Sequence, residues 1–170
     1  MRLVVAAVGT SCALIALYTL RRRRLLAAVK RQWTELGVEV RTSTIPDSGD
    51  GLFAAASFKE GAPLGEYRGR VLSLLQAHQL EDRDYLMGGF GLNAHVDARF
   101  ALTAPGRYVN DTNDDSQLNA RFEKDRQRRV ATLVATRAIR CGEEIFASYG
   151  ESYWRARGHA SGKPPAAAPR

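Results

Sequence analysis

Six of the sixteen residues in RYVNDTNDDSQLNARF, positions 107–122, are Asn or Asp, while Tyr108, Val109 and Phe122 give the stretch apolar ends. Such a set of oxygens suits either cation coordination or hydrogen bonding to backbone amides and a ligand. Cation coordination fails on spacing. Asp111, Asn113 and Asp115 stand at the first, third and fifth positions of a calcium loop. Its sixth position, which needs Gly, holds Ser116, and its twelfth, which needs a bidentate Glu, holds Phe122. Zinc fares no better: the chain has only Cys12 and Cys141, and His78, His95 and His159 are scattered. The second chemistry remains, an Asx-rich loop tied down at both ends. Asn and Asp serve there because they bond backbone amides and tolerate unusual backbone angles.

The elements that must hold this loop are short. VEVRTS (38–43), IPDSGDGLFAA (45–55), two pieces within APLGEYRGRVLS (62–73), HVDARF (95–100) and RVATLVATRAI (129–139) have strand character. SLLQAHQLE (73–81) has helical period behind Ser73, a suitable N-cap. CGEEIFASYG (141–150) ends the set with a turn and a short strand. The pattern predicts a β-rich α+β domain without βαβ units, and so without a dinucleotide crevice.

Charge is uneven. Residues 1–42 carry +6 and residues 155–170 carry +4, whereas residues 43–154 hold 13 basic and 16 acidic side chains. The body is therefore mildly acidic, which suits a cationic substrate and argues against direct nucleic-acid binding. Residues 3–20 carry no charge, and Arg21–Arg24 follow. A helix of that length reaches roughly 27 Å, enough for a thin bilayer core. The basic flank lies on the wrong side for a cleaved signal peptide. The expectation is a single-pass anchor (1–24), with everything downstream in the cytosol. A helical linker (25–37) ending at Gly37, the folded domain (38–154) and an Ala/Pro/Gly-rich disordered tail (155–170) follow.

Four pieces now stand in order: SGDGLFA from Ser48, GEYRG from Gly65, RYVND from Arg107 and GEEIFASYGESYW from Gly142. Over about residues 38–154 the chain resembles the SET domain, the lysine methyltransferase fold with a C-terminal pseudoknot. The resemblance implies transfer of a methyl group from S-adenosylmethionine to a lysine of a protein substrate, histone or non-histone. Gly49, Asp50, Gly51 and Leu52 would form the cofactor turn, with Asn110 on the cofactor's amino-acid portion and the backbone of Asp111 on the adenine. Tyr85 and Trp154 join the cofactor set by position. Tyr149 matches the essential tyrosine at the junction of cofactor and lysine channel, and Tyr67 a second channel tyrosine. Phe122 and Ala147 match positions beside the amine, and because neither has a hydroxyl the resemblance implies di- or trimethylation. Asp111 stands where the family has His, and Thr112-x5-Leu118-Asn119 where it has Ser-Cys-x-Pro-Asn. Ser148 replaces an Asp, and the zinc-binding segment after the domain is missing. The outer channel wall would then come from ESYWRARG (151–158) or a partner. The alternative is a catalytically idle domain of this type serving as a membrane-tethered binding module.

Overall fold

The computed structural model describes residues 28–158 apart from position 30. The expected anchor (1–24) lies outside these residues, as does the expected disordered tail beyond position 158, but the first residues of that tail, Arg155 and Ala156, close a helix instead. No helix among the described residues is long and apolar enough to cross a membrane.

Residues 31–36 are helical, and Gly37, at φ 72°, turns the chain out of the helix. Trp33 fastens this helix to the body, its indole donating to the Thr103 carbonyl and its ring standing edge-on to Tyr108 at 5.5 Å. Three small antiparallel sheets follow. β1 (Val38–Thr42) pairs with β2 (Asp50–Ala54). β3 (Pro63–Tyr67) pairs with β8 (Val130–Ala135), whose other edge carries β7 (Ala120–Asp125). The central strand of the third sheet is β6 (His95–Asp97), flanked by β4 (Arg70–Leu72) and β5 (Leu86–Met87). The β8 sequence runs apolar without alternation because it is the middle strand and packs on both faces.

Between β4 and β5, α1 (Leu74–His78) is shorter than its apolar period suggested. Ser73 caps it in a full capping box with Gln76. The RYVN stretch falls at the end of a 3-10 helix, Pro105–Tyr108. Among the strands and α-helices, three were not anticipated: the two-residue β5, β7 and a last helix. β7 is masked in sequence by charge, since only Ala120 and Phe122 of its six residues turn inward and its edge carries Arg, Glu and Lys. α2 (Glu151–Ala156) buries no residue fully, so it shows little apolar period.

The C-terminal segment runs through the middle of this frame. Phe146 bridges in parallel to Asn110 on one side, and Ala147 in parallel to Ala120 on the other. The amide of Ala147 donates to the Asn110 carbonyl, and that of Ile145 to the Leu52 carbonyl. Thus residues 144–147 thread between β2, the 109–111 segment and the start of β7. Asn119, only 1% exposed, locks the thread: its Oδ1 accepts from the Phe146 amide at 2.8 Å and its Nδ2 donates to the Glu144 carbonyl at 2.8 Å. Around it lies the main core, with Leu52, Leu64, Val109, Leu133, Ile139, Ile145 and Ala147 fully enclosed.

Removing the Asn119 side chain leaves an amide and a carbonyl buried without partners. Asn119→Ala should lower stability by about 3 kcal/mol, from two groups at about 1–3 kcal/mol each. Urea denaturation checks this, as a lower midpoint at unchanged slope. Asn119→Asp, though the same shape, should be no milder, because its second oxygen would face the Glu144 carbonyl.

Candidate functional site

Tyr149 forms a wall shared by two cavities. The first, about 370 Å³, is lined by Gly49 and Asp50 at the head of β2, by Tyr85, by Asn110 and Asp111, and by Tyr149 and Trp154. The second, about 1020 Å³, has Tyr67, Val109, Phe122 and Tyr149 on its walls, with Leu86 and Met87 of β5. Both also touch Asp84, Tyr85, Arg107 and Tyr153. Most expected cofactor residues therefore gather in one cavity, and Tyr67 and Phe122 in its neighbour. The segment after Gly150 lines the larger cavity through Ser152, Tyr153, Ala156 and Arg157.

The Tyr149 hydroxyl donates to the Val109 carbonyl at 2.8 Å and lies 3.5 Å from Asn110 Oδ1. Tyr67 donates its hydroxyl to the Tyr85 carbonyl, and its ring meets Phe122 edge-on at 5.7 Å. Burial pushes both phenols well above the ordinary tyrosine range, with nearby carboxylates adding to it: Asp97 for Tyr67, Asp111 for Tyr149. Each is thus a neutral hydroxyl whose proton is committed to a carbonyl. The oxygen lone pairs remain to accept from a ligand.

Asp111 does more than the backbone contact expected of it. Its Oδ2 accepts from the Tyr149 amide at 2.7 Å and the Trp154 indole at 2.8 Å, and its Oδ1 from the Asn113 amide at 2.8 Å. One carboxylate thereby fixes the backbone of Tyr149 and the placement of Trp154 on α2. Asn110 uses its amide nitrogen within the chain, donating to the Asp50 carbonyl at 3.1 Å and to Glu144 Oε1 at 3.4 Å. Its Oδ1 keeps accepting capacity for a ligand N–H. Of the rest of the Asx loop, Asp114 bonds within the loop, Asn119 clamps the threaded segment and Asp115 lines the larger cavity. Asp114 receives the Ser116 amide and hydroxyl and the Gln117 side-chain amide. The sequence expectation that the loop's Asx side chains face the cofactor therefore narrows to Asn110 and Asp111, the two that line the smaller cavity. A loop so far from regular strand pairing must satisfy its amides locally.

Three other expectations shift. Leu52 and Ala147, both 0% exposed, line neither cavity; Leu52 sits in the core, and Ala147 beside it on the threaded segment. The argument on methyl count then stands on Phe122 alone. Gly51 is demanded by its own chain, since a Cβ there would fall 2.2 Å from Glu144 Oε1. That buried carboxylate also takes the Ser43 hydroxyl and the amide and hydroxyl of Thr44. Gly49 is different, with φ 69° and nothing within 4 Å of the place a Cβ would take.

Sequence reasoning gave no role to Asp84, and took Arg107 and Tyr153 only as members of the RYVND piece and of the expected outer channel wall. Arg107 lies between the rings of Tyr85 (4.5 Å) and Tyr108 (4.6 Å) and donates to the carbonyls of Ala98 and Arg99. Tyr153 stacks edge-on to Tyr149 at 4.7 Å, a contact between α2 and the segment that leads into it. Asp84 pairs with Arg157, joining α2 to the loop before β5.

The family model described as the SET domain matches residues 49–150 of the chain, more than half its length. Comparison with curated proteins gives no match.

Two outcomes follow from the geometry. With native pKa values above the unfolded value of about 10, Tyr67 and Tyr149 hold protons that the unfolded chain gives up. Their contribution to stability is full below about pH 10 and lost as pH rises further. A tyrosinate absorbance titration should show both remaining protonated until the fold opens, and Tyr67→Phe should remove part of the alkaline loss. Second, Gly51→Ala should unfold at clearly lower denaturant than Gly49→Ala, which carries only the backbone strain of about 1 kcal/mol.

Proposed function

The chain belongs to the SET-domain family, and from that premise we propose that it is a protein-lysine methyltransferase using S-adenosylmethionine. The observation that carries this reading is the pair of cavities meeting at Tyr149. A group-transfer enzyme with two substrates needs two sites and one point of contact, and alignment at that point supplies much of the rate. The smaller cavity falls within the usual volume range of small-molecule sites, about 300–1,000 Å³. Its charged lining is Asp47, Asp50, Asp84 and Asp111 against Arg107, which suits a cofactor bearing a sulfonium and an ammonium. S-adenosylmethionine, when bound, supplies a methyl group activated by its positive sulfur.

The chain's own residues would do the rest. Asn110 Oδ1 can accept from an ammonium, and Trp154, held by Asp111, can close the side of the pocket. At the junction the Tyr149 oxygen offers lone pairs to polarised C–H or N–H groups. Tyr67, Phe122 and Tyr149 surround the larger cavity with aromatic carbon, where desolvation favours the neutral amine that a nucleophilic lysine must present. Neither phenol can serve as the base, since burial keeps both protonated. The lysine must give its proton to solvent before or during entry. We also propose that residues 3–20 hold the domain on a membrane with its cytosolic side marked by Arg21–Arg24, supported by the uncharged run and its basic flank.

Calorimetry of the full chain with S-adenosylmethionine tests the cofactor reading; no heat at millimolar concentration would leave only a binding module. Tyr149→Phe should keep cofactor affinity within a few-fold while methyl transfer falls about 10²–10³, the usual loss for one transition-state hydrogen bond. Near-normal turnover would reduce Tyr149 to a packing residue. The full chain should resist carbonate extraction and lose that resistance on deletion of residues 1–24; unchanged behaviour of the deletion would exclude the anchor.

A further inference from the structure

The two cavities differ in sign. Whereas the smaller one is lined mainly by aspartates, the larger has Arg83, Arg107, Arg121, Lys124 and Arg157 against Asp84 and Asp115. Two of those arginines are already engaged by carboxylates. Arg157 pairs with Asp84, and Arg121 with Glu123 in an exposed pair. The other three have no carboxylate partner among the described residues. Arg83 donates to the His78 carbonyl and Arg107 to the carbonyls of Ala98 and Arg99. The Lys124 ammonium lies beside Gly89 and 5.9 Å from the Phe90 ring. Partial burial, with Arg126 nearby, lowers its pKa, as expected for a cation with no anion at hand.

We propose that the larger cavity takes a lysine set among acidic residues, so that its substrate is an Asp- or Glu-rich segment of a protein. This rests on the methyltransferase reading and names the substrate class. The charge lies where the flanks of a bound segment must pass: Arg83 before β5, Arg121 and Lys124 on β7, and Arg157 at the end of α2. A basic segment meets like charges there, and an acidic one meets two cations, Arg83 and Lys124, that have no carboxylate partner among the described residues. The same field acts on the target amine. Positive side chains around the cavity disfavour an incoming ammonium and so promote the neutral form needed for attack. Acidic flanks hold the segment in place while the positive wall favours loss of the lysine's proton to solvent. The mildly acidic body suggested a cationic substrate; the local lining reverses that inference at the site itself.

The test uses the full chain and two fluorescein-labelled peptides, each with one central lysine, one flanked by Glu and one by Arg. The Glu-flanked peptide should bind about tenfold more tightly at low salt, with the advantage shrinking as salt screens the exposed charges. Replacing both Arg121→Glu and Lys124→Glu should reverse the preference, with an unchanged melting temperature showing that the variant is folded. Equal affinity for the two peptides, or a preference for the Arg-flanked one, would overturn the proposal. So would displacement of the Glu-flanked peptide by single-stranded RNA at lower concentration, which would make nucleic acid the ligand. Fluorescence anisotropy reads binding without requiring methyl transfer. Acidic preference without transfer would therefore remove the methyltransferase reading and leave this one standing.

Discussion

The structure depends on one backbone segment being held from three sides. Residues 144–147 cannot complete a strand ladder alone, because their neighbours are single bridges rather than full strands. Side chains make up the difference. Asn119 supplies to residues 144 and 146 the donor and acceptor that an adjoining strand would offer. Glu144 points back under β2 and binds Ser43 and Thr44. Because such polar groups are buried, each is costly to leave unpaired, and the arrangement holds as a unit. Everything functional is built on that unit. Tyr149 follows two residues after the thread, and Val109, whose carbonyl takes its hydroxyl, precedes the residue the thread bridges.

Asp111 shows how a chain can depart from its family's pattern without losing the site. A carboxylate has acceptor capacity only, and here three donors reach it: the amides of Asn113 and Tyr149 and the indole of Trp154. A neutral imidazole offers one acceptor nitrogen and could not satisfy all three. The carboxylate therefore holds Trp154 and both amides at once, which an imidazole in its place could not. It also adds a negative charge to the smaller cavity and helps keep the Tyr149 phenol protonated.

How much of this the sequence disclosed varies with the kind of interaction. Local signals read well. Ser73 began its helix, Gly37 ended one, and β1, β3 and β8 fell within the runs that named them. The motif residues Gly49, Asn110, Tyr149 and Tyr67 came together at the two cavities. Long-range demands were not legible. Gly51 looked like a residue cleared for a ligand, but it is cleared for Glu144, more than ninety positions away. Asn119 passed for one more turn former, although its side chain is the central clamp. The hairpin of β7 and β8 did leave a trace in Asp125, which receives the amides of Gln127 and Arg128. An Asx residue followed by a short polar stretch is a turn signal, but here the longer Asx run drew the reading away from it.

Charge illustrates the same limit at the scale of the whole surface. A net value for residues 43–154 averages over two cavities of opposite sign, and only the fold decides which side chains face which cavity. Arg107 touches both, and it is held by two aromatic rings and two backbone carbonyls rather than by a carboxylate. A neutralised arginine would separate the cavities sterically alone. An arginine without an ion-pair partner separates them electrostatically as well, since it opposes the aspartates on one side and adds to the cations on the other. The junction at Tyr149 therefore lies between linings of opposite sign. In methyl transfer the positive charge moves from sulfur to nitrogen, toward the cationic side. That direction works against the proposed transfer, since the product nitrogen is cationic even when a neutral amine attacks, unless the segment brings its own negative charge. On the proposed methyltransferase reading, reactivity at the junction would therefore depend on the composition of whatever occupies the larger cavity.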